Sequence, residues 1–215
     1  MSNARKSHFE IRDQSGYTLV ALIALMSLLA LFALAAAPNI QQQAQREREK
    51  EAIFRGEQVA DAIRSYYTYR GAQGPNSLPT DVDQLLEGIQ IPGRTKKLQI
   101  LRTEAAIDPL SQDGEWRRIG PTSEEFRGFV QSLMVYSGGV APQPRREFVG
   151  MVNLIPQLTN VLNTRSQEEA PGGENTSADT AGPFIGVASR SQRNSVITYY
   201  GIERHDEWIF TPMFR

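Results

Sequence analysis

Hydrophobic residues are concentrated in one run near the start of the chain. Residues 17–37 read YTLVALIALMSLLALFALAAA, and no charged residue occurs between Asp13 and Arg46. A helix rises about 1.5 Å per residue, so about 20 apolar residues are enough to cross a hydrocarbon core of about 30 Å. The run therefore predicts a transmembrane helix over 17–37.

Two other interpretations of this run are less well supported. A buried core helix needs other apolar segments around it, and the rest of the chain has none of comparable hydrophobicity. A secretory signal peptide has an apolar region of about 7–15 residues followed by a polar cleavage region. This run is longer and leads directly into Pro38 and a helical segment. The sequence thus favours an anchor that is retained.

A helical period follows the apolar run and predicts an amphipathic extension over 38–70. Ile53, Ala60, Ile63 and Tyr67 share one helical face, because they recur at helical spacing. Pro38 lacks a backbone donor and crowds the preceding turn, so we expect a bend there. A Gly- and Pro-rich segment from residue 71 then ends the helix.

The remaining residues, 71–215, predict a small α+β domain. Thr80 or Asp81 is placed to cap a short helix, and a strand is expected over 116–119. Three later segments are rich in β-branched and aromatic residues and predict an antiparallel meander with Trp208 and Phe210 in the core; these segments are 184–191, 195–202 and 206–212. The predicted fold class is α+β, with a long N-terminal helix, half transmembrane and half amphipathic, packed on a small antiparallel sheet.

A long insertion, 120–183, separates the first strand from the last three. Residues 124–139 and 147–162 have helical character, whereas 164–183 are rich in Gly, Ser, Thr and Glu. Such a composition lacks the apolar groups that offset the entropy of ordering, so disorder is predicted over 164–183. A tolerated surface loop and a segment that makes a specific contact both remain open for this insertion.

Composition excludes several classes of function. Lys and Arg number 23 against 24 Asp and Glu, so the basic excess of a nucleic-acid-binding surface is missing and no nucleic-acid partner is predicted. The chain has no cysteine, which excludes a disulfide framework, a thiol nucleophile and a thiolate metal site. Its two histidines are His8 and His205, and a Ser-His-Asp triad would depend on His205 alone.

Acidic residues raise the question of a metal site. Asp108, Ser111, Asp113 and Glu115 could supply oxygen ligands to calcium, but their spacing does not match an EF-hand, and a solvated turn is favoured. His205 with the two acids that follow it is interpreted as a surface turn. We therefore predict no metal site, no cofactor, no catalytic residue and no enzymatic activity.

The first sixteen residues form a short polar leader. Three basic residues are set against two acids, and the leader ends in Ser15-Gly16 before the apolar run begins at Tyr17. A small residue at a polar–apolar border is suited to a membrane-embedded peptidase that acts at the cytoplasmic interface. Cleavage after Gly16 would leave the apolar helix at the new N-terminus.

These features together resemble the type IV pilin and type II secretion pseudopilin superfamily. The matching residues are Gly16, the aromatic Tyr17, Thr18-Leu19, the unbroken apolar helix and Pro38. The order of later segments is also similar: a capped helix, an Asp-Pro loop, a Trp-containing strand, then Gly-Val, Tyr-Gly and Glu-Trp-x-Phe strands. The resemblance covers about three quarters of the chain, in pieces.

The resemblance implies processing, partners and location. A prepilin peptidase would cut after Gly16 and methylate Tyr17, and the N-terminal helix would pack with other pilin or pseudopilin subunits. The protein would reside in the bacterial inner membrane as a single-pass protein, with its N-terminus in the cytoplasm and its C-terminal domain in the periplasm.

One position departs from the family pattern. The fifth residue after the cut is usually glutamate, and this chain has Ala21. A carboxylate in a bilayer costs about 2.5–3.5 kcal/mol and is kept for a pairing role, so its absence suggests a minor or tip subunit. The sequence therefore predicts a minor or atypical pseudopilin-like structural subunit of a type II secretion or type IV pilus-like assembly. The alternative is an uncleaved single-span membrane protein with a periplasmic partner- or ligand-binding domain.

Overall fold

The computed structural model describes residues 15–93, 95–152 and 182–214, without the side chains of residues 15 and 33–40. Its contacts divide the chain into two compact units, Met1–Ala44 and Gln45–Arg215. Positions 153–162 of the helical segment predicted over 147–162 lie outside the described residues, as does the predicted disorder over 164–183 except for its last two positions.

One helix, α1 (Ser15–Tyr69), accounts for everything described in the first unit and continues into the second. It is 55 residues long, and its helical backbone includes Pro38. Whether the helix bends at that proline stays a prediction.

The fold class predicted from the sequence is wrong in its transmembrane part. Among the helical residues whose side chains are described, none form a stretch both long and apolar enough to cross a membrane.

In the second unit, α1 buries one stripe of its surface. Ala52, Val59, Ile63 and Tyr67 are fully buried, which confirms the predicted core positions of the last two. Charged residues such as Lys50 occupy the exposed faces. After the last turn, the chain leaves the helix through a residue with positive φ, Gly71 (φ 88°), as helix C-termini commonly do.

The described residues contain three further α-helices: α2 (Val82–Glu87), α3 (Glu124–Tyr136) and α4 (Val149–Val152). They also contain four short 3-10 helices: Pro75–Ser77, Thr103–Ala106, Arg146–Phe148 and His205–Glu207. The Asp81 carboxylate accepts a hydrogen bond from Asp83 N at 3.1 Å, so the predicted cap of α2 is confirmed. Ser123 caps α3 in the same way by accepting from Phe126 N at 3.2 Å. The predicted helix over 124–139 is thus observed as α3.

Within the described residues, five short strands form two antiparallel sheets rather than one meander. They are β1 (Arg117–Ile119), β2 (Gly186–Ala188), β3 (Asn194–Tyr199), β4 (Ile202–Arg204) and β5 (Ile209–Phe210). One sheet has the order β1-β2-β5, and β3 pairs with β4 in the other.

A tight turn explains the separation into two sheets. Tyr200 (φ 51°) and Gly201 (φ 78°) both have positive φ, and Tyr199 pairs with Ile202 across them. Two such residues make the primed two-residue turn that folds a strand directly onto its neighbour. The segment predicted as a single strand, 195–202, is therefore broken at Tyr200.

Aromatic side chains fill the core of the second unit. The Trp116 and Phe210 rings meet edge to face at 5.7 Å, and Tyr67 stacks on Phe148 at 4.8 Å. Phe210 also lies against α1 at Gly56, where an added Cβ would approach the ring to 2.2 Å. Trp208 is fully buried, so the predicted core positions of Trp208 and Phe210 are confirmed.

Candidate assembly surface and the buried Glu49 cluster

The predicted cleavage residues lie at the first turn of α1. Gly16 is its second residue, with no atom within 4 Å of the position that a Cβ would occupy, and the Tyr17 side chain is 80% exposed. Cleavage after Gly16 and methylation of Tyr17 stay predictions.

An exposed apolar surface follows directly along the helix. We call residues 19–32 the apolar segment; its ten large hydrophobic side chains are each between 54% and 68% exposed. These are Leu19, Val20, Leu22, Ile23, Leu25, Met26, Leu28, Leu29, Leu31 and Phe32.

The one polar side chain in the apolar segment is Ser27, and it hydrogen-bonds within the helix. The Ser27 hydroxyl donates to Ile23 O at 2.8 Å, so its hydrogen-bonding capacity is used within the helix itself. Soluble proteins rarely expose contiguous apolar patches larger than a few hundred Å², and larger ones mark interaction sites. The apolar segment is therefore a candidate interaction surface on every side of the helix.

A second feature is a carboxylate buried in the second unit. Glu49 lies on the buried stripe of α1 and is 0% exposed. Its oxygens accept hydrogen bonds from two consecutive strand amides, Val196 N and Ile197 N, at 2.9 Å each, and from Gln45 Nε2 at 2.7 Å. These amides lie where the pairing of β3 with β4 is irregular. Glu49 therefore accepts hydrogen bonds from backbone N–H groups at a point where the strand pairing is interrupted.

Histidine completes this group, which we call the Glu49 cluster: Glu49, Gln45, His205 and Ser191 with the two β3 amides. His205 is 2% exposed, with its Nε2 at 3.0 Å from Glu49 Oε1 and its Nδ1 at 3.2 Å from Ser191 Oγ. The order serine, histidine, carboxylate is the one found in hydrolase triads.

The hydrogen bonds of the cluster connect several elements of the second unit. Ser191 N is hydrogen-bonded to Ser189 Oγ at 3.1 Å, and the cavities beside α3 are lined by other residues. The Glu49 carboxylate is shared among four donor groups rather than reserved for the imidazole. The cluster therefore joins α1, β3 and the turn at His205.

The environment of Glu49 keeps it ionised. Burial acts to raise its pKa, but the hydrogen bonds from the Val196 and Ile197 amides, His205 and Gln45 together outweigh burial and lower the pKa below its usual value. A deprotonated, hydrogen-bonded carboxylate is thus part of the folded domain at neutral pH.

Sequence reasoning missed Glu49, although a signal was present. Stepping back along the stripe from Ile53 by about one helical turn reaches position 49, where a lone acid occupies a face that is otherwise apolar. Its partner was also misjudged, because His205 and Asp206 are buried and not part of a surface turn. The turn itself is present as a 3-10 helix, His205–Glu207.

The acids considered as calcium ligands behave differently from one another. Asp108 is 1% exposed, and its carboxylate accepts from Ser189 Oγ at 2.7 Å and from Leu110 N at 2.9 Å. Burial is the largest influence and raises the pKa of Asp108. The predicted solvated turn is therefore wrong for this residue.

The other three of these residues do not converge on Asp108. Ser111 donates to Asp113 at 2.7 Å, while Asp113 and Glu115 form ion pairs with Arg190 at 3.5 and 3.1 Å. Across residues 15–93, 95–152 and 182–214, no three His, Asp or Glu side chains gather in a way that could hold a metal ion.

Comparisons with known proteins add no family. Neither the family models nor the curated proteins nor the solved structures contain a match to this chain. The pilin-like resemblance stays a prediction that depends on the sequence features around Gly16, Tyr17 and Pro38.

Proposed function

We propose that this chain is a minor or atypical pseudopilin-like structural subunit of a type II secretion or type IV pilus-like assembly, processed by a prepilin peptidase. The observation that carries the proposal is the apolar segment, exposed on all sides and beginning just after Gly16 and Tyr17. An exposed apolar surface of this extent marks an interaction site.

Packing between like helices is the mechanism that we propose for assembly. The apolar segment carries small residues, among them Ala21, Ala24 and Ala30, between its large ones. Small side chains let neighbouring helices approach closely, and the Leu and Ile side chains then interdigitate. Sister subunits would thus bury the segment by lateral contact, and the inner membrane would hold it before assembly.

The second unit would serve as the part presented outside the helical bundle. Within it, the Glu49 cluster fixes α1 to β3 through four hydrogen-bonding groups. That connection needs nothing from a partner. It leaves the apolar segment as the surface available for assembly.

Ala21 supports a minor or tip position. In the resembling family the glutamate at this place pairs with a neighbouring terminal amine, and alanine cannot do so. A subunit without this contact would add to a filament through apolar packing alone, which suits a position that needs fewer specified neighbours.

Mass spectrometry of the N-terminus tests the processing claim. The full chain is co-expressed with an active prepilin peptidase or with its inactive variant. We expect a product that begins at Tyr17 and carries one added methyl group only with the active enzyme. Gly16→Leu should block the cut. A chain that still begins at Met1 beside active peptidase contradicts the proposal.

A second candidate function is an uncleaved, membrane-attached binding protein. Ala21 favours it, and so does an open groove between α3 and β4 in the second unit. The two candidates differ in their helix contacts, since a binding protein has no reason to place apolar segments of two copies side by side. Crosslinking between α1 helices separates them.

A further inference from the structure

A groove runs between helix α3 and strand β4. Two adjoining cavities of about 790 and 400 Å³ make up this α3–β4 groove. Both are lined by residues from the helix and from the hairpin and its following turn, namely Gly128, Ser132, Ile202, Arg204 and Glu207. The Glu49 cluster contributes no side chain to either.

Small residues lie on one side of the groove, and on the other lies β4, one edge of which pairs with no described strand. Gly128 and Ser132 are one helical turn apart on α3, and a Cβ at Gly128 would have no atom within 4 Å. Strand β4 pairs with β3 alone among the strands of the described segments. An extended chain could therefore lie along β4 without displacing a core side chain.

Negative charge dominates the lining. Five carboxylates face two guanidinium groups there: Glu124, Glu125, Glu203, Asp206 and Glu207 against Arg117 and Arg204. Such an excess repels phosphates and other anions and attracts basic groups.

Both arginines are already engaged. Arg117 donates to Glu125 at 2.6 Å and to Asp206 O at 2.6 Å, while Arg204 pairs with the Asp206 carboxylate at 2.8 Å. By contrast, Glu124 and Glu203 form no ion pair with any residue that the structure describes. The groove therefore holds carboxylates whose charge is not balanced by an ion pair among the described residues.

Aromatic rings line one end of the groove. Tyr136 is 64% exposed, and its ring meets that of Tyr200 edge to face at 5.7 Å. Val135, also exposed, adds an apolar contact beside them. A guanidinium group stacks on such ring faces better than an ammonium does, because it is planar and more weakly hydrated.

We propose that the α3–β4 groove binds an extended, arginine-containing segment of a partner protein. Carboxylates such as Glu203 would receive guanidinium groups in bidentate fashion, and the tyrosine pair would stack against one of them. The segment's backbone would lie along β4. The inference does not rest on the proposed assembly role, because every group that it uses lies in the second unit.

Fluorescence anisotropy tests this with defined probes. Labelled peptides of sequence RTRTRT, KTKTKT and ETETET are titrated with the full chain in mild detergent. We expect saturable binding of the arginine peptide that weakens as salt is raised, binding of the lysine peptide weaker by about fivefold, and none of the glutamate peptide. Equal binding of arginine and lysine peptides, or no binding of either, overturns the proposal.

Variants locate the binding. Glu203→Lys reverses a charge in the groove and Gly128→Leu fills it, and each should weaken the arginine peptide by about tenfold or more. Glu104→Lys makes the same charge change on an exposed residue outside the groove and should alter affinity by less than about twofold. Tryptophan fluorescence confirms that each variant is folded.

Three results contradict the assignment. The first is an equal loss with Glu104→Lys and Glu203→Lys, and the second is unchanged affinity in Gly128→Leu. The third is self-association of the chain that Glu203→Lys abolishes and the arginine peptide competes away, since a second copy would then be the occupant.

Discussion

The two ends of α1 belong to one helix and bury their side chains in opposite ways. In the apolar segment, 19–32, hydrophobic residues occupy every face and stay exposed. From residue 45 to 69 most of them recur every third or fourth position and are buried in a stripe that includes Val59 and Ile63, while Phe54 and Tyr69 are exposed. The two parts of α1 therefore differ in the periodicity of their hydrophobic residues, and not in hydrophobicity alone. The part with a helical period packs on its own domain, and the part without it is available to contact another surface.

The two parts of α1 also differ in their polar residues. The apolar segment has no charge to orient it, whereas the buried stripe contains one carboxylate, Glu49, held by hydrogen bonds from β3 and His205. Exposed pairs such as Lys50–Glu47 at 2.9 Å contribute little to stability. The second part of α1 is thus specified by both apolar packing and a buried polar contact.

Removal of Glu49 should have the largest effect on the domain. Glu49→Ala leaves two strand amides and His205 without their acceptor in a buried site, which costs about 3–5 kcal/mol in the free energy of unfolding. Urea unfolding of the full chain, followed by the fluorescence of the buried Trp116 and Trp208, measures it. Glu47→Ala on the exposed face is the control and should change stability by less than about 0.5 kcal/mol. If Glu49→Ala and Glu47→Ala lowered the free energy of unfolding equally, the buried Glu49 contacts would not stabilise the domain as we propose.

Glycine-to-alanine substitutions in the two parts of α1 should differ in their effect on stability, and this effect should be the second largest. Gly56→Ala places a Cβ 2.2 Å from the Phe210 ring, and overpacking of this kind costs about 1–3 kcal/mol. Gly16→Ala meets nothing within 4 Å and should leave urea unfolding of the second unit unchanged. A tolerated Gly56→Ala would mean that Phe210 does not lie against α1.

Acidification should destabilise the domain through Glu49. Its pKa is lower in the folded state than its usual 4.5, so its contribution is complete above that value and is lost as the pH falls through the folded pKa. We expect the urea midpoint to fall as the pH drops below about 4.5 and Glu49→Gln to flatten that part of the profile. An unchanged profile in the variant argues against an ionised Glu49.

Asp108 should behave in the opposite sense and with a smaller effect. Burial raises its pKa in the folded state, so ionising it at neutral pH works against folding. Asp108→Asn keeps an oxygen for Leu110 N and a donor for Ser189, and its unfolding free energy should lie within about 1 kcal/mol of the parent at neutral pH. A loss as large as that of Glu49→Ala would make the two buried carboxylates equivalent and contradict this distinction.

Local patterns predicted much of what lies within one element. Asp81 followed by a short apolar repeat marked the start of α2, and the spacing of Ile63 and Tyr67 marked the buried face of α1. Each of these features depends on residues within one or two helical turns of one another, so it can be predicted from the sequence. The transmembrane prediction was wrong, because no helix of the described residues is both long and apolar enough to cross a membrane.

Contacts between distant residues could not be predicted in the same way. Glu49 and His205 are 156 positions apart, and β2 pairs with β5 through Val187 and Phe210. The turn at Tyr200-Gly201 could not be predicted from the sequence for a different reason. Tyrosine is uncommon at positive φ, and its aromatic side chain is typical of a strand. Tertiary packing decided each of these features.

The central claim is that the apolar segment packs against the same segment of sister subunits. The chain has no native cysteine, so Leu25→Cys introduces a single thiol within the segment, and Glu104→Cys introduces one on the second unit as a control. After mild oxidation in cells that express the chain with an active peptidase, we predict a disulfide-linked dimer for Leu25→Cys and monomer for Glu104→Cys. A Leu25→Cys chain that stays as monomeric as the control would contradict the claim.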